Sequence, residues 1–342
     1  MDATNTKPAE QVPPTLIEII RHFADADTCH EFFTDIRWPD GVSCPRCGCD
    51  RVSFVKTRRI WNCLGCKKQF SVKVGTIFED SPISLDKWAV AMWQVCNCKN
   101  GVSSYEIHRS IGVTQKTAWF MLHRIREAMR TGTFEKLSGE VEVDETFIGG
   151  KEKNKHKDKK QNKGRGGIGK SIVMGAIQRG EAYTDEHGEE QKTASQVQVN
   201  IIPDTRRETI QPAVKKNVAE GSALFTDAHS GYTGLCEKYG HEIVDHAVRY
   251  AEGKVSTNGV ENFWSLVDRM IDGTYVSVEP EHLAAYLDEQ VFRFNYRKGP
   301  DAMRFVLALR QVAGKRLTYR ELIGNPQGID SPDPLRGGPR AD

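Results

Sequence analysis

Cys44-Pro45-Arg46-Cys47 and Cys63-Leu64-Gly65-Cys66 are two CxxC pairs separated by fifteen residues, and nothing else in the chain restricts its folding so tightly. A CxxC knuckle sets two thiolates on one tight turn, at the spacing of two corners of a zinc tetrahedron. Two knuckles close a four-sulfur site with no open position. Such a site is structural, and its binding free energy, about 10–16 kcal/mol in small peptides, is folding free energy. The stretch 38–75 has little else to build a core from: Trp38, Val52, Phe54, Val55, Ile60, Trp61 and Phe70. The spacing predicts a structural Zn²⁺ on Cys44, Cys47, Cys63 and Cys66; a redox CxxC or chance thiols fit two ribbon-spaced pairs poorly. Of nine cysteines, five lie within 44–66, with Cys49 as a spare thiol beside the site. An odd, clustered set argues against a secreted disulfide scaffold and for metal binding in a reducing compartment.

The length of 342 residues suggests two or three domains. No run of 18 apolar residues occurs, which excludes a membrane-spanning helix, and the polar stretch Met1 to Pro14 lacks the apolar segment of a secretory signal. The net charge of +2 averages opposed segments. Residues 1–43 carry three Lys/Arg against eight Asp/Glu, residues 44–75 eight against Asp50 alone, and residues 151–170 nine against Glu152 and Asp158. Two basic blocks on a nearly neutral chain suit a polyanion, although charge runs of this kind also occur as solvated loops.

Residues 1–14 read as a disordered lead, Thr15 to Phe23 as a short amphipathic helix, and Thr28-Cys29-His30-Glu31 as the capping box of a second. After the cysteine segment, Leu85, Trp88, Ala89, Met92, Trp93 and Cys96 form an apolar stripe at helical spacing. Ser103 to Glu106 offers a capping box for the next helix, Gly112 breaks the chain, and Thr114 caps a third helix with Trp119, Leu122, Ile125 and Met129 on one face. Helix, glycine turn, helix is the outline of a helix-turn-helix. Its last helix would offer Gln115, Lys116 and His123 to DNA, with Arg124 and Arg126 for phosphates; the same pattern also fits a plain three-helix bundle. From Gly324 the chain reads as a flexible tail.

Three acids stand in unusual settings. Asp144 lies in the strand-like run Val141 to Phe147, Asp227 ends the apolar run Ala223 to Thr226, and Glu261 begins a helix whose Val260, Phe263, Trp264, Val267 and Ile271 face a core. Gathered together, the three would repel one another unless they surrounded divalent metal, for which Mg²⁺ with its preference for carboxylate and phosphate oxygens is suited. Strands near 141–149, 171–178 and 195–202, a helix near 205–218, a strand at 222–227 and then the Glu261 helix give the outline of a ribonuclease-H-like α/β fold. Pattern alone fits three unrelated surface or N-cap acids equally well.

Arg37-Trp38-Pro39-Asp40-Gly41 before the first knuckle, Val141 to Lys151, Thr226-Asp227, His246, and Asn258-Gly259-Val260-Glu261-Asn262-Phe263-Trp264-Ser265 follow one another in the right order. In these stretches the chain resembles bacterial insertion-sequence DDE transposases of the zinc-ribbon, Merlin-related (ISXO-like) group. The resemblance spans most of residues 28–296. It implies a catalytic triad of Asp144, Asp227 and Glu261 holding Mg²⁺ or Mn²⁺, and it alone selects Asp144 over Glu142 and Glu145. It implies activation of water for 3′-end cleavage at terminal inverted repeats, then of the new 3′-OH for joining to target DNA. It adds His246 and Asn258 as residues that orient DNA or metal-bound water, although His246 also suits a core hydrogen-bonding role. It further implies double-stranded DNA as partner, a homodimer or larger assembly on paired ends, and the cytoplasm, at the bacterial nucleoid, as location.

One departure stands out. Members often carry a basic residue seven positions after the glutamate, where this chain has Asp268, followed by Arg269. Either Arg269, about 100° further round an α-helix, takes over that contact with DNA, or recognition of the DNA ends differs or is impaired. The other expected DNA contacts are Lys56, Arg58 and Arg59 in the ribbon and Lys153, Lys155, Lys157, Lys159 and Lys160 in the loop after the first catalytic strand. The expected division is a helical lead at 1–37, a zinc ribbon at 38–80, a helix-turn-helix at 81–137, a ribonuclease-H-like domain at 138–298, and C-terminal helices with a tail at 299–342. Two rivals remain: a DNA-binding regulator derived from a transposase, and a stand-alone nuclease of the same fold.

Overall fold

The computed structural model describes residues 12–130, 135–149, 169–244 and 256–324. They fall into two units, one joining the chain up to Arg130 with the segment from Gly299 onward, the other running Thr131–Lys298.

In the first unit, α1 (Leu16–His22) begins at a capping box between Thr15 and Glu18. Helix α2 (Ala26–Arg37) starts earlier than the Thr28 capping box predicts. Asp25 is its N-cap and accepts the Thr28 N–H at 2.8 Å, while the Thr28 hydroxyl donates to the same oxygen. A carboxylate three residues upstream thus claims the amide, and Thr28 lies inside the first turn. The ribbon is an antiparallel sheet of β1 (Val52–Val55), β2 (Ile60–Cys63) and β3 (Gln69–Phe70). Trp61 stacks on Phe70 at 5.7 Å, Trp38 meets its edge at 5.4 Å, and His30 of α2 stacks on it at 5.1 Å. Phe54, expected inside, is 47% exposed; α2 covers the sheet where the ribbon's own residues are too few.

Helices α3 (Leu85–Asn97), α4 (Ser104–Ile111) and α5 (Gln115–Met129) follow the apolar spacing. Ser103 and Glu106 form the capping box of α4, Gly112 ends it in the left-handed region at φ 62°, and Thr114 accepts the Thr117 N–H to cap α5. His123, Arg124 and Arg126, assigned above to DNA, are buried at 2%, 2% and 1% exposure. The Arg124 guanidinium donates to the carbonyls of Ile77, Glu79 and Leu317. An arginine on a helix's inner face satisfies backbone carbonyls that water cannot reach, so this face is core and the phosphate role is withdrawn. The later helix Asp301–Arg310 belongs to the same unit, placing Phe305 among Phe23, Phe32 and Trp93.

The second unit is built on a five-stranded sheet in the order β10-β9-β4-β5-β8. Strands β4 (Glu140–Ile148), β5 (Ser171–Gln178) and β8 (Gln196–Ile202) form an antiparallel meander; β9 (Ala223–Asp227) and β10 (Gly240–Val244) lie parallel to β4. A short exposed hairpin, β6 (Ala182–Thr184) and β7 (Glu190–Lys192), extends from β5. Val141 and Val143 of β4 pack with Ile210 and Val214 of α6 (Arg207–Asn217) on one face. Ile148 joins Val260, Phe263 and Val267 of α7 (Asn258–Asp268) and Leu287 of α8 (Leu283–Asn295) on the other. This is the ribonuclease-H-like α/β arrangement. The two-residue strand period sends Val141, Val143 and Glu145 to the α6 face and Glu142, Asp144 and Ile148 to the α7 face. No helix among the described residues is long and apolar enough to cross a membrane.

Candidate active site and zinc centre

The four ribbon thiols converge. The donor atoms of Cys44, Cys47, Cys63 and Cys66 all lie within 4.8 Å of one another, with Cys44 Sγ to Cys66 Sγ at 3.8 Å and Cys47 Sγ to Cys63 Sγ at 3.5 Å. A tetrahedron with Zn–S bonds of about 2.3 Å has edges of about 3.8 Å, so the set fits zinc. The Cys66 N–H donated to the Cys63 sulfur helps draw the Cys63 thiol down, while the contact with Cys63 pushes the Cys47 thiol up, so the metal-free pair shares a proton. Cys49 stays outside the cluster.

Two of the acids lie just beyond the point where two parallel strands stop pairing. Strands β4 and β9 pair over Glu140–Glu142 and Ala223–Phe225. Asp144 and Asp227 each stand two residues past the last pair, where such sheets open a crevice for ligands. Asp144 Oδ2 accepts the Trp264 indole N–H at 3.1 Å. Trp264 can lie there because Gly175 faces Asp144 in the register; a Cβ on Gly175 would come within 2.6 Å of the indole. Asp227 Oδ1 accepts the His229 N–H at 3.0 Å, and Glu261 Oε1 accepts the Thr257 hydroxyl at 2.9 Å. Burial pushes the Asp144 carboxyl up to about 6, and the charges of Asp227 and Glu261 add to the rise. Asp144 therefore feels the charges of the other two acids, although the oxygens of the three do not reach the mutual 4.8 Å spacing of the thiols. Carboxylate oxygens are the donors that hard divalent cations prefer.

The neighbouring acids have other partners. Glu145, on the α6 face, accepts a hydrogen bond from the Tyr232 hydroxyl, and burial with the charges of Asp144 and Asp227 raises it to about 7. Glu142 is 3% exposed and bonded to Arg179 and to the start of α7. Trp264, Gly175, Glu142 and Arg179 were not singled out for the site in the sequence. The available signal was Gly175 itself, a glycine inside an apolar strand, which marks a close approach.

The carboxyls of Asp144 and Glu145 rise from 3.8 and 4.5 to about 6 and about 7 on folding. The folded chain then holds protons that the unfolded chain releases, so this contribution is fully present below about pH 4 and lost as pH rises to about 7. Without divalent metal at the acids, thermal stability is expected to decline across that window. Glu145→Gln should flatten the decline, and Mn²⁺ added at pH 7.5 should raise the melting temperature. A melting profile identical in Glu145→Gln and the unaltered protein would contradict this.

The expected DNA-contacting residues are dispersed. Lys56 and Arg58 sit on the exposed turn between β1 and β2; Arg59, beside them in the left-handed region at φ 49°, pairs with Asp27 at 2.6 Å. Lys116 is exposed with its ammonium 4.7 Å from the Tyr319 ring centroid, whereas Gln115 donates to Ser104 Oγ at 2.8 Å. Arg269 is exposed, but α7 ends at Asp268 and a π-helix, Arg269–Tyr275, follows. The 3.6-residue period that placed Arg269 stops one residue before it, and its direction relative to Glu261 does not follow from that period. Lys153, Lys155, Lys157, Lys159, Lys160 and His246 lie outside the described residues, as do the start of the lead and most of the tail.

Residues 24–69 match the family described as transposase zinc-ribbon domain, and residues 136–295 match the ISXO2-like transposase domain. A relative, an uncharacterized protein in transposable element ISH50 of Halobacterium salinarum, is 24% identical over 302 residues, covering 84% of this chain and 98% of that protein. No solved structure matches the chain. Residues 24–69 and 136–295 thus carry a transposase zinc ribbon followed by an ISXO2-like transposase domain, and in both the chain is similar to insertion-sequence DDE transposases.

Proposed function

We propose that the chain cuts 3′ ends at the terminal inverted repeats of its element and joins them to target DNA by metal-dependent phosphoryl transfer. The observation that supports this reading is that Asp144 and Asp227 each stand two residues past the last β4–β9 pair, with the charges of Asp227 and Glu261 adding to the rise of Asp144. Asp144, Asp227 and Glu261 would hold two divalent ions, which when bound supply charge neutralisation to the attacking and leaving oxygens. Trp264 orients Asp144, and Thr257 and the His229 amide orient Glu261 and Asp227. His246 is proposed to align DNA beside them. The zinc ribbon and the α4–α5 pair would recognise the ends, through Lys56, Arg58, Arg59, Gln115 and Lys116, with Arg269 beside the acids. A dimer or larger assembly on paired ends, in the cytoplasm at the nucleoid, completes the reading, and 38–80, 81–137 and 138–298 remain the proposed functional divisions.

Incubation with DNA from the borders of the element, with and without target DNA, tests it. Cleavage followed by joining supports the transposase; cleavage without joining identifies a nuclease; binding without cleavage identifies a regulator. The lysine loop has its own expected result. Replacing Lys153, Lys155, Lys157, Lys159 and Lys160 with Gln should ease the salt dependence of DNA binding by about 0.9 in slope for each duplex phosphate contact removed. An unchanged slope would make the loop solvated surface.

A further inference from the structure

Glu142 lies two residues before Asp144 on the same face of β4, but its oxygens are already engaged. Oε1 accepts Arg179 Nε at 2.7 Å; Oε2 accepts the backbone N–H groups of Gly259 at 2.7 Å and Val260 at 3.0 Å. Those are first-turn amides of α7, which an α-helix leaves without internal partners. The N-cap residue Thr257 makes no side-chain cap of its own. Glu142 supplies it from a distant strand, with its negative charge at the favourable end of the helix dipole. Gly259 is what lets the carboxylate in: a Cβ there would stand 2.7 Å from Glu142 Oε2.

Arg179 extends the connection. Its guanidinium also reaches Glu140 at 3.2 Å, donates to Ser256 O at 2.8 Å and Ser256 Oγ at 3.0 Å, and lies 4.4 Å over the Phe225 ring. Glu140 is on β4 with Asp144, Phe225 is on β9 two residues before Asp227, and Ser256 leads into the helix of Glu261. One planar cation thus touches the elements that carry all three acids. The next residue after the capped Val260 is Glu261 itself. Moving the start of α7 by about 1 Å would move that carboxylate by as much, enough to cost about a hundredfold in a positioned reaction.

We propose that Glu142 is a positioning residue which, clamped by Arg179, seats the first turn of α7 so that Glu261 faces Asp144. The proposal rests on the metal-dependent reading above.

The test uses the full-length zinc-loaded protein and three variants, Glu142→Gln, Gly259→Ala and Asp144→Asn. Gly259→Ala retains every charge and puts a better helix former in α7, but its methyl displaces the Glu142 carboxylate. Two readouts do not depend on turnover: hydrogen exchange of the Gly259 and Val260 amides, and Mn²⁺ binding followed by calorimetry. In Glu142→Gln and Gly259→Ala those amides should exchange about tenfold faster or more, while β5 keeps its protection. Mn²⁺ affinity should fall roughly 10–100-fold, the usual consequence of losing a group that orients a ligand, and cleavage should recover in part at excess Mn²⁺. Unchanged Mn²⁺ affinity in both variants, with Asp144→Asn impaired, overturns this proposal alone. Undiminished binding in Asp144→Asn overturns the metal-dependent reading instead. If Glu142→Gln fails to fold, Gly259→Ala decides; loss of the fold in both makes Glu142 a scaffold residue and also overturns the proposal.

Discussion

Asp144→Asn, Asp227→Asn and Glu261→Gln are each expected to reduce cleavage and joining by about a thousandfold or more while leaving DNA-end binding in place. Each substitution removes one negative charge and keeps the shape of the side chain. Metal-supplied charge stabilisation is worth several kcal/mol at a phosphoryl-transfer site, and about 4 kcal/mol corresponds to a thousandfold in rate. Binding is expected to survive because the ribbon and the α4–α5 pair, the proposed DNA-contacting elements, lie in the other unit of the chain. The neighbouring acids should behave differently from the triad and from each other. Glu145→Gln should be milder, since Glu145 faces α6 and the Tyr232 hydroxyl. Glu142→Gln should not be as mild as its absence from the triad suggests, since Glu142 caps α7. Mn²⁺ should support turnover, and Ca²⁺ should support binding with little turnover, because its coordination is larger and looser. A Glu261→Gln protein that joins DNA ends at the normal rate would end the assignment.

Loss of the zinc ligands should be nearly as damaging, by a different route. Purified protein is expected to contain about one zinc per chain, and the Cys44→Ser/Cys63→Ser double variant should lose it. The binding free energy of such a site, about 10–16 kcal/mol in small peptides, matches or exceeds the whole stability of an ordinary domain, about 5–15 kcal/mol. The ribbon has few means to compensate, since Phe54 is largely exposed and its aromatic core leans on His30 of α2. End recognition should therefore collapse while the five-stranded sheet stays folded. Loss of tryptophan signal from Trp38 and Trp61 together with retained sheet protection in hydrogen exchange would show this. Zinc retained undiminished in the double variant would refute the site.

Local rules of the chain were sufficient for much of this protein. The CxxC spacing selected four thiols out of nine cysteines because a knuckle's geometry is contained within four residues. The Ser103–Glu106 box, the Gly112 break and the Thr114 cap were legible for the same reason, each being a contact closed within one helical turn. The strands β4, β5, β8 and β9 followed from apolar runs, which report burial whatever the partner; the exposed hairpin β6–β7 buries no face and left no such signal. Thr28 shows the limit even at short range: Asp25 and Thr28 both had capping chemistry, and only the folded chain shows that the carboxylate took the amide.

What tertiary structure alone decided was the partner of each polar group. Arg124 and Arg126 read as phosphate ligands because a sequence gives their charge and not the face they occupy; folded, Arg124 serves carbonyls as far away as Leu317. The acids at 142, 144 and 145 are chemically interchangeable on paper, and their choice rested on resemblance. In the sheet they separate physically, Glu145 to Tyr232, Asp144 toward Asp227 and Glu261, and Glu142 to the amides of a helix 117 residues away. Local spacing determines which elements form, because backbone hydrogen bonds and burial recur with fixed periods. Which carboxylate is free to hold metal depends on sheet register and on the helix packed above it, and those are contacts no period encodes.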